Sequence, residues 1–152
     1  MKIYIQIACK KKNFFPKKKF FLSCLKKIFK KKKVEITIRV VDLIEIQFLN
    51  KKYRNKNTPT NVLSFPATNN VHIKHKFKYY IGDIILCARY INKEALSLKK
   101  NILEHWAHMI IHSTLHLLHY THNTSQSKKK MQIVENIIMK KLGFLKLHNL
   151  NE

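Results

Sequence analysis

The sequence predicts a single α+β domain, a small mixed four-stranded sheet packed with helices. Three observations predict it. The chain has 152 residues, which suits one domain and is too short for two ordinary ones. Hydrophobic residues make up 45% of it, enough to bury a sizeable core. Short segments of period two or of continuous apolar character are interspersed with segments of helical period, and no internal repeat or linker divides them. Residues 1–152 are therefore read as one unit, with a lysine-rich segment at 10–33 inside it.

The elements follow in order. Ile3, Ile5 and Ile7 alternate with Tyr4 and Gln6 and read as a first strand. Residues 10–33 then hold twelve lysines and no acid. Within them Phe20, Phe21, Cys24, Leu25, Ile28 and Phe29 recur at helical spacing, so an amphipathic helix is expected from about Lys17, just after Pro16. Its outward lysines, Lys26, Lys27, Lys30 and Lys31 among them, either solubilise the outer face or meet phosphates. Val34 to Val41 alternates as a second strand. Asp42-Leu43-Ile44-Glu45 resembles a capping box and opens a short helix through Leu49. Val62 to Phe65, ended by Pro66, suits a third strand, and residues 67–79 read as a polar loop. Ile81 to Ala88, containing Gly82, is the fourth strand. Arg89 to Lys99 is helical. Asn101, with Glu104 three residues on, caps a longer helix reaching about Leu118. Lys129 to Leu142 is the last helix, stopped by Gly143.

Lys+Arg is 31 against 8 Asp+Glu, a formal charge of +23. That excludes an acidic scaffold and predicts affinity for a polyanion such as nucleic acid. Only Arg39, Arg54 and Arg89 are arginines. Gly and Pro are scarce while Lys, Ile and Asn abound, the skew of AT-rich coding, so part of the charge is expected to be solvated surface. Cys9, Cys24 and Cys87 are odd in number, widely spaced and without a CxxC pair, which argues against a disulfide framework and against a cysteine zinc site. A reducing cytoplasm fits. No membrane span is expected, because the longest charge-poor stretch, Trp106 to Ser127, carries five histidines. The short apolar run at the N-terminus precedes its lysines, the reverse of a signal peptide.

The chemistry is carried by the run from His112 to His122. His112 and His116 are four apart in an apolar helix, so both imidazoles stand on one face, one turn apart. A turn then returns His122 as a third ligand, with His119 as a rival for that place. Three histidines with a fourth position open to water describe a catalytic zinc site, one Zn2+ per chain. His108 extends the same stripe and is read as structural. A metalloprotease needs a glutamate beside the first ligand. Ser113 stands there instead, so peptide hydrolysis ranks low and the charge favours a phosphodiester substrate.

Beside the histidines, further motifs are in order. Leu49-Asn50-Lys51-Lys52-Tyr53-Arg54 precedes Pro59-Thr60-Asn61-Val62-Leu63-Ser64-Phe65-Pro66; Gly82-Asp83-Ile84, Met131, Glu135 and Leu142-Gly143 follow their own patterns. Together they resemble the YbeY family of bacterial endoribonucleases and ribosomal RNA maturation factors, over roughly residues 34–144. The resemblance implies a zinc-hydrolase-like domain with zinc at His112, His116 and His122. It implies cleavage of single-stranded RNA in the cytoplasm, in ribosomal RNA processing and ribosome quality control, with ribosomal RNA or ribosomal particles as partner. Neither a membrane nor a small-molecule cofactor is expected. The resemblance gives Arg54 a catalytic place facing the cleft, a role suited to its planar, permanently charged fork, although an arginine closing a helix also sits at such a position.

The chain departs from the family pattern in places. Ser113 and His119 replace glycines, and Thr121 replaces an aspartate beside the last ligand. Thr68 stands where an acid often follows. His119 is expected at a helix end with positive φ, a strained place for a side chain. Thr121 removes a carboxylate that could orient a ligand or move a proton. These departures support an alternative function, a non-catalytic RNA-binding ribosome-assembly factor with a structural zinc. Ser64 is read as capping its strand rather than holding a phosphate. Asp83 is read as capping the turn after Gly82, against pairing with the ligand helix or an arginine.

Overall fold

Period-two alternation fixes which strand faces are buried, and the computed structural model, which describes residues 1–68 and 79–144, follows it. The strands are β1 (Lys2–Ile7), β2 (Val34–Val41), β3 (Val62–Pro66) and β4 (Tyr79–Cys87). The sheet order is β1-β2-β4-β3, with β1, β2 and β4 parallel and β3 antiparallel to β4 at one edge. Ile36, Ile38 and Val40 of β2 join Ile84 and Leu86 of β4 in the main core, while Val41, Ile85 and Cys87 point into a smaller core on the other face. Both faces are thus covered where the strands are parallel.

The helices are α1 (Lys18–Phe29), α2 (Leu43–Arg54), α3 (Ala88–Ser97), α4 (Ile102–Leu117) and α5 (Ser125–Lys141). Helix α4 is the hub: it packs on β3, β4, α1, α3 and α5. Ten of its residues are buried, among them Trp106, whose indole N–H donates to Asn92 Oδ1 at 2.8 Å. Helix α2 covers the second core through Ile46, with Leu43 and Leu49 partly buried beside it. Among the described residues no helix is long and apolar enough to cross a membrane. Cys9, Cys24 and Cys87 are free thiols, all buried.

Several sequence expectations are corrected. Asp42 is the N-cap of α2 but makes no capping hydrogen bond with its side chain. Its carboxylate instead accepts from Lys10 N–H at 3.1 Å and Asn13 Nδ2 at 3.0 Å, tying the lysine-rich loop to the sheet. Glu45 pairs with Arg39 Nε at 2.7 Å rather than completing a capping box. Helix α2 runs five residues beyond Leu49 and ends at Asn55, whose φ of 58° is left-handed. Helix α5 starts four residues before Lys129, because Thr124 and Ser127 form a capping box. Ala88 opens α3 rather than closing β4, and Tyr79 belongs to β4. The rest of the expected 67–79 loop lies almost wholly outside the described residues.

Gly82 is required where it stands. Its φ is 136°, and a Cβ there would lie 2.2 Å from the Phe65 carbonyl oxygen and 3.0 Å from Leu117. Both the close approach of β3 to β4 and the seating of α4 on them depend on that missing side chain. The register between β2 and β4 shifts just here, between Glu35 and Ile36.

Candidate metal centre

His108, His112 and His116 recur every fourth residue along α4 and form one stripe. The proton positions on two of them are fixed by their neighbours. His116 Nδ1 lies 2.9 Å from the Tyr120 carbonyl oxygen, which can only accept, so His116 carries its proton there. His112 Nδ1 lies 2.9 Å from Glu135 Oε1. Burial pushes the Glu135 carboxyl up, but the hydrogen bonds and positive charge of His108 and His112 outweigh it and hold it at about 2. Glu135 is thus ionised and accepts, and His112 also carries its proton on Nδ1.

In the neutral rings both Nε2 atoms carry lone pairs, and they stand 3.0 Å apart. Neither can donate to the other while both rings are neutral. Burial and the neighbouring His112 push His116 below its ordinary value, which keeps its ring neutral near pH 7. Two facing lone pairs at this distance are unfavourable without a cation between them. Two nitrogens bound to zinc at tetrahedral geometry stand about 3.3 Å apart, close to what is found here. The donor set therefore fits a metal.

The third ring comes from the turn after α4. Helix α4 ends in a Schellman motif: Tyr120 N–H donates to the Leu115 carbonyl and His119 N–H to the His116 carbonyl, both at 3.0 Å. The residue that must turn left-handed is His119, with φ 68°. The same motif ends α5, where Phe144 N–H donates to Met139 and Gly143 takes the positive φ. One helix thus ends on a glycine and the other on a histidine. The turn places the Tyr120 carbonyl against His116 and brings His122 back, its ring centroid 4.8 Å from that of His116 and 5.6 Å from that of His112.

The ligand atoms of His112, His116 and His122 all lie within 4.8 Å of one another, so the three could hold a metal ion. Among the described residues, the one other such group is His108, His112 and Glu135. His119 belongs to neither group. The three rings open into a cavity of about 530 Å³. The rest of its wall is made by Arg54, at the end of α2, by residues 60–64 and 66 in and just before edge strand β3, and by residues 119–121 of the turn after α4. Arg54 is exposed and shares this cavity with the three histidines.

Other residues singled out in the sequence fall elsewhere. Lys26, Lys27, Lys30 and Lys31 are exposed at the end of α1 and just beyond, and are not among the residues lining the cavity. Ser64 Oγ donates to the Ser113 carbonyl at 3.2 Å, so it ties β3 to α4 rather than capping its strand. The Ser113 hydroxyl turns back to the Met109 carbonyl at 2.7 Å and is buried, so it offers no group to the cavity. Asp83 bonds the Tyr80 hydroxyl, which also bonds Thr37. Among the described residues it pairs with neither the ligand helix nor an arginine. Thr121 lines the cavity without a carboxylate.

Glu135 was visible in the sequence only as part of a closing motif. Its contact with His112 was not expected. A signal existed: Met131, Glu135 and Ile138 share the buried stripe of α5, and a carboxylate in an apolar stripe needs a partner.

The YbeY endoribonuclease family profile matches residues 6–143. The chain belongs to the YbeY family. The match extends well before residue 34, so the lysine-rich helix α1 lies within the family domain. An endoribonuclease YbeY from Buchnera aphidicola subsp. Cinara cedri is 64% identical over 149 residues, covering 98% of this chain and 96% of the relative. Another, from Buchnera aphidicola subsp. Acyrthosiphon pisum, is 45% identical over 148 residues, covering 96% and 94%. A solution structure of a Thermotoga maritima protein shares the fold, with a TM-score of 0.56 and 23% identity over 91% of each chain.

Proposed function

We propose that this YbeY family member is a zinc-dependent endoribonuclease that cleaves single-stranded RNA during ribosomal RNA maturation and ribosome quality control in the cytoplasm. One observation carries the reading: three convergent imidazoles share an open cavity with Arg54. His112, His116 and His122 would hold the zinc, which when bound would supply Lewis acidity and lower the pKa of a water.

The chain's own groups have definable tasks. His112 and His116 turn Nε2 toward the cavity, held by Glu135 and the Tyr120 carbonyl. Arg54 meets the non-bridging oxygens of a phosphodiester with paired N–H donors and offsets the charge that develops during hydrolysis. The lysines at the end of α1 hold the RNA strand away from the reacting group by charge alone. The family name and the charge of +23 favour RNA as the partner, and the RNA proposed is ribosomal, free or in ribosomal particles.

The alternative, a non-catalytic assembly factor with a structural zinc, fits the cavity less well. Structural zinc sites close with four protein ligands, whereas His122 is exposed and the cluster opens into a cavity. Incubation with single-stranded and duplex RNA, with and without a chelator, tests the proposal. Cleavage of the single strand that stops with the chelator is the expected outcome. Binding without cleavage in zinc-loaded protein points to the assembly factor.

A further inference from the structure

Each ligand histidine on α4 has a different kind of acceptor behind it. That of His116 is a main-chain carbonyl, fixed by the Schellman turn. That of His112 is a side chain on another helix, Glu135 of α5. Its carboxylate is pinned at both oxygens, Oε1 by His112 Nδ1 at 2.9 Å and Oε2 by His108 Nε2 at 2.5 Å. With one oxygen committed to each ring, the carboxylate cannot rotate away without breaking a hydrogen bond.

The fold alone gives no reason for an acid here. Glu135 is 3% exposed and lies in line with Met131 and Ile138 on the buried face of α5. An apolar residue would complete that face without the cost of burying a charge. Lacking an acceptor at Nδ1, His112 can carry its proton on Nε2 and then turns no lone pair toward the cavity.

We propose that Glu135 is a positioning residue of the metal centre: gripped by His108, it fixes the tautomer and orientation in which His112 Nε2 faces the cavity. The site is thereby coupled to the packing of α5 on α4, and His108 acts through Glu135 without reaching the metal.

The proposal rests on the metal-centre reading, and its test separates the two. In metal-free protein, ¹⁵N–¹H spectra of the histidine side chains should show His112 protonated on Nδ1. Glu135→Leu combined with His108→Leu should move His112 toward the Nε2–H tautomer. His116, backed by a main-chain carbonyl, should stay on Nδ1. Zinc affinity, read by competition with a chromophoric chelator, should fall about 10–100-fold in that pair. Glu135→Gln, able to present an oxygen to His112 and an amide to His108, should bind zinc closer to the parent than to the leucine pair. The proposal is overturned by His112 protonated on Nε2 in the parent, by parental affinity in the leucine pair, or by a glutamine variant as weak as that pair. A parent that binds no zinc would sink the metal-centre reading instead, and the spectra alone would still decide the role of Glu135.

Discussion

The Tyr120 carbonyl oxygen sits 2.9 Å from His116 Nδ1, four residues away, and it is there because His119 between them turns left-handed. The conformation of one strained residue thus orients a candidate metal ligand. Positive φ costs a side chain roughly 1–2 kcal/mol, part of which glycine loses again through its freer unfolded chain.

His119→Gly should therefore stabilise the metal-free protein by up to about 1 kcal/mol. The urea midpoint should rise with an unchanged slope. A lower midpoint would mean that the His119 side chain contributes more than the turn costs it.

Arg54→Lys should leave zinc affinity unchanged, since Arg54 shares the cavity but is outside the histidine cluster. Cleavage of single-stranded RNA should slow by about tenfold or more, because lysine keeps the charge and loses the paired donors. Parental rates at saturating zinc would reduce Arg54 to a surface residue closing α2.

Acid should unfold the protein partly through Glu135. Its folded value, about 2, lies below the unfolded value near 4.5, so the unfolded chain binds more protons between them. The stabilisation is complete above pH 4.5 and is lost as pH falls toward 2, a contribution on the order of 3 kcal/mol. In metal-free protein, Glu135→Gln should flatten this acid limb. An identical pH profile would show that the paired histidines do not hold the carboxylate charged.

The lysines are tested by salt. Each phosphate contact removed lowers the log–log salt slope for single-stranded RNA by about 0.7. Replacing Lys26, Lys27, Lys30 and Lys31 by glutamine should flatten the slope measurably. An unchanged slope would leave these side chains as solvated surface.

Periodicity made the scaffold legible. The bounds of β2 were readable from Val34 to Val41 because strict alternation has no competing reading. Helix α4 was readable from Asn101, whose side chain accepts from Leu103 and Glu104 N–H as expected of a cap. Misreadings occurred where side chains found distant partners. Asp42 looked like a cap and instead anchors Lys10 and Asn13, a contact across about thirty residues that no local pattern reveals. The start of α5 was hidden because Ser125-Gln126-Ser127 has no apolar period. The histidine spacing announced that His112 and His116 would meet, since helical geometry makes positions four apart neighbours. The support of His112 by Glu135 depends on how α5 docks on α4, which is tertiary information.

The central claim is that His112, His116 and His122 together hold the zinc that makes this protein a ribonuclease. Its most direct measurement is the rate of single-stranded RNA cleavage by metal-free protein as zinc is added back, run beside His116→Ala. The rate should rise from near zero and break at one zinc per chain, and His116→Ala should neither bind that zinc nor recover activity at the same concentration. Metal-free protein that cleaves as fast as zinc-loaded protein, or His116→Ala that titrates like the parent, would contradict the account.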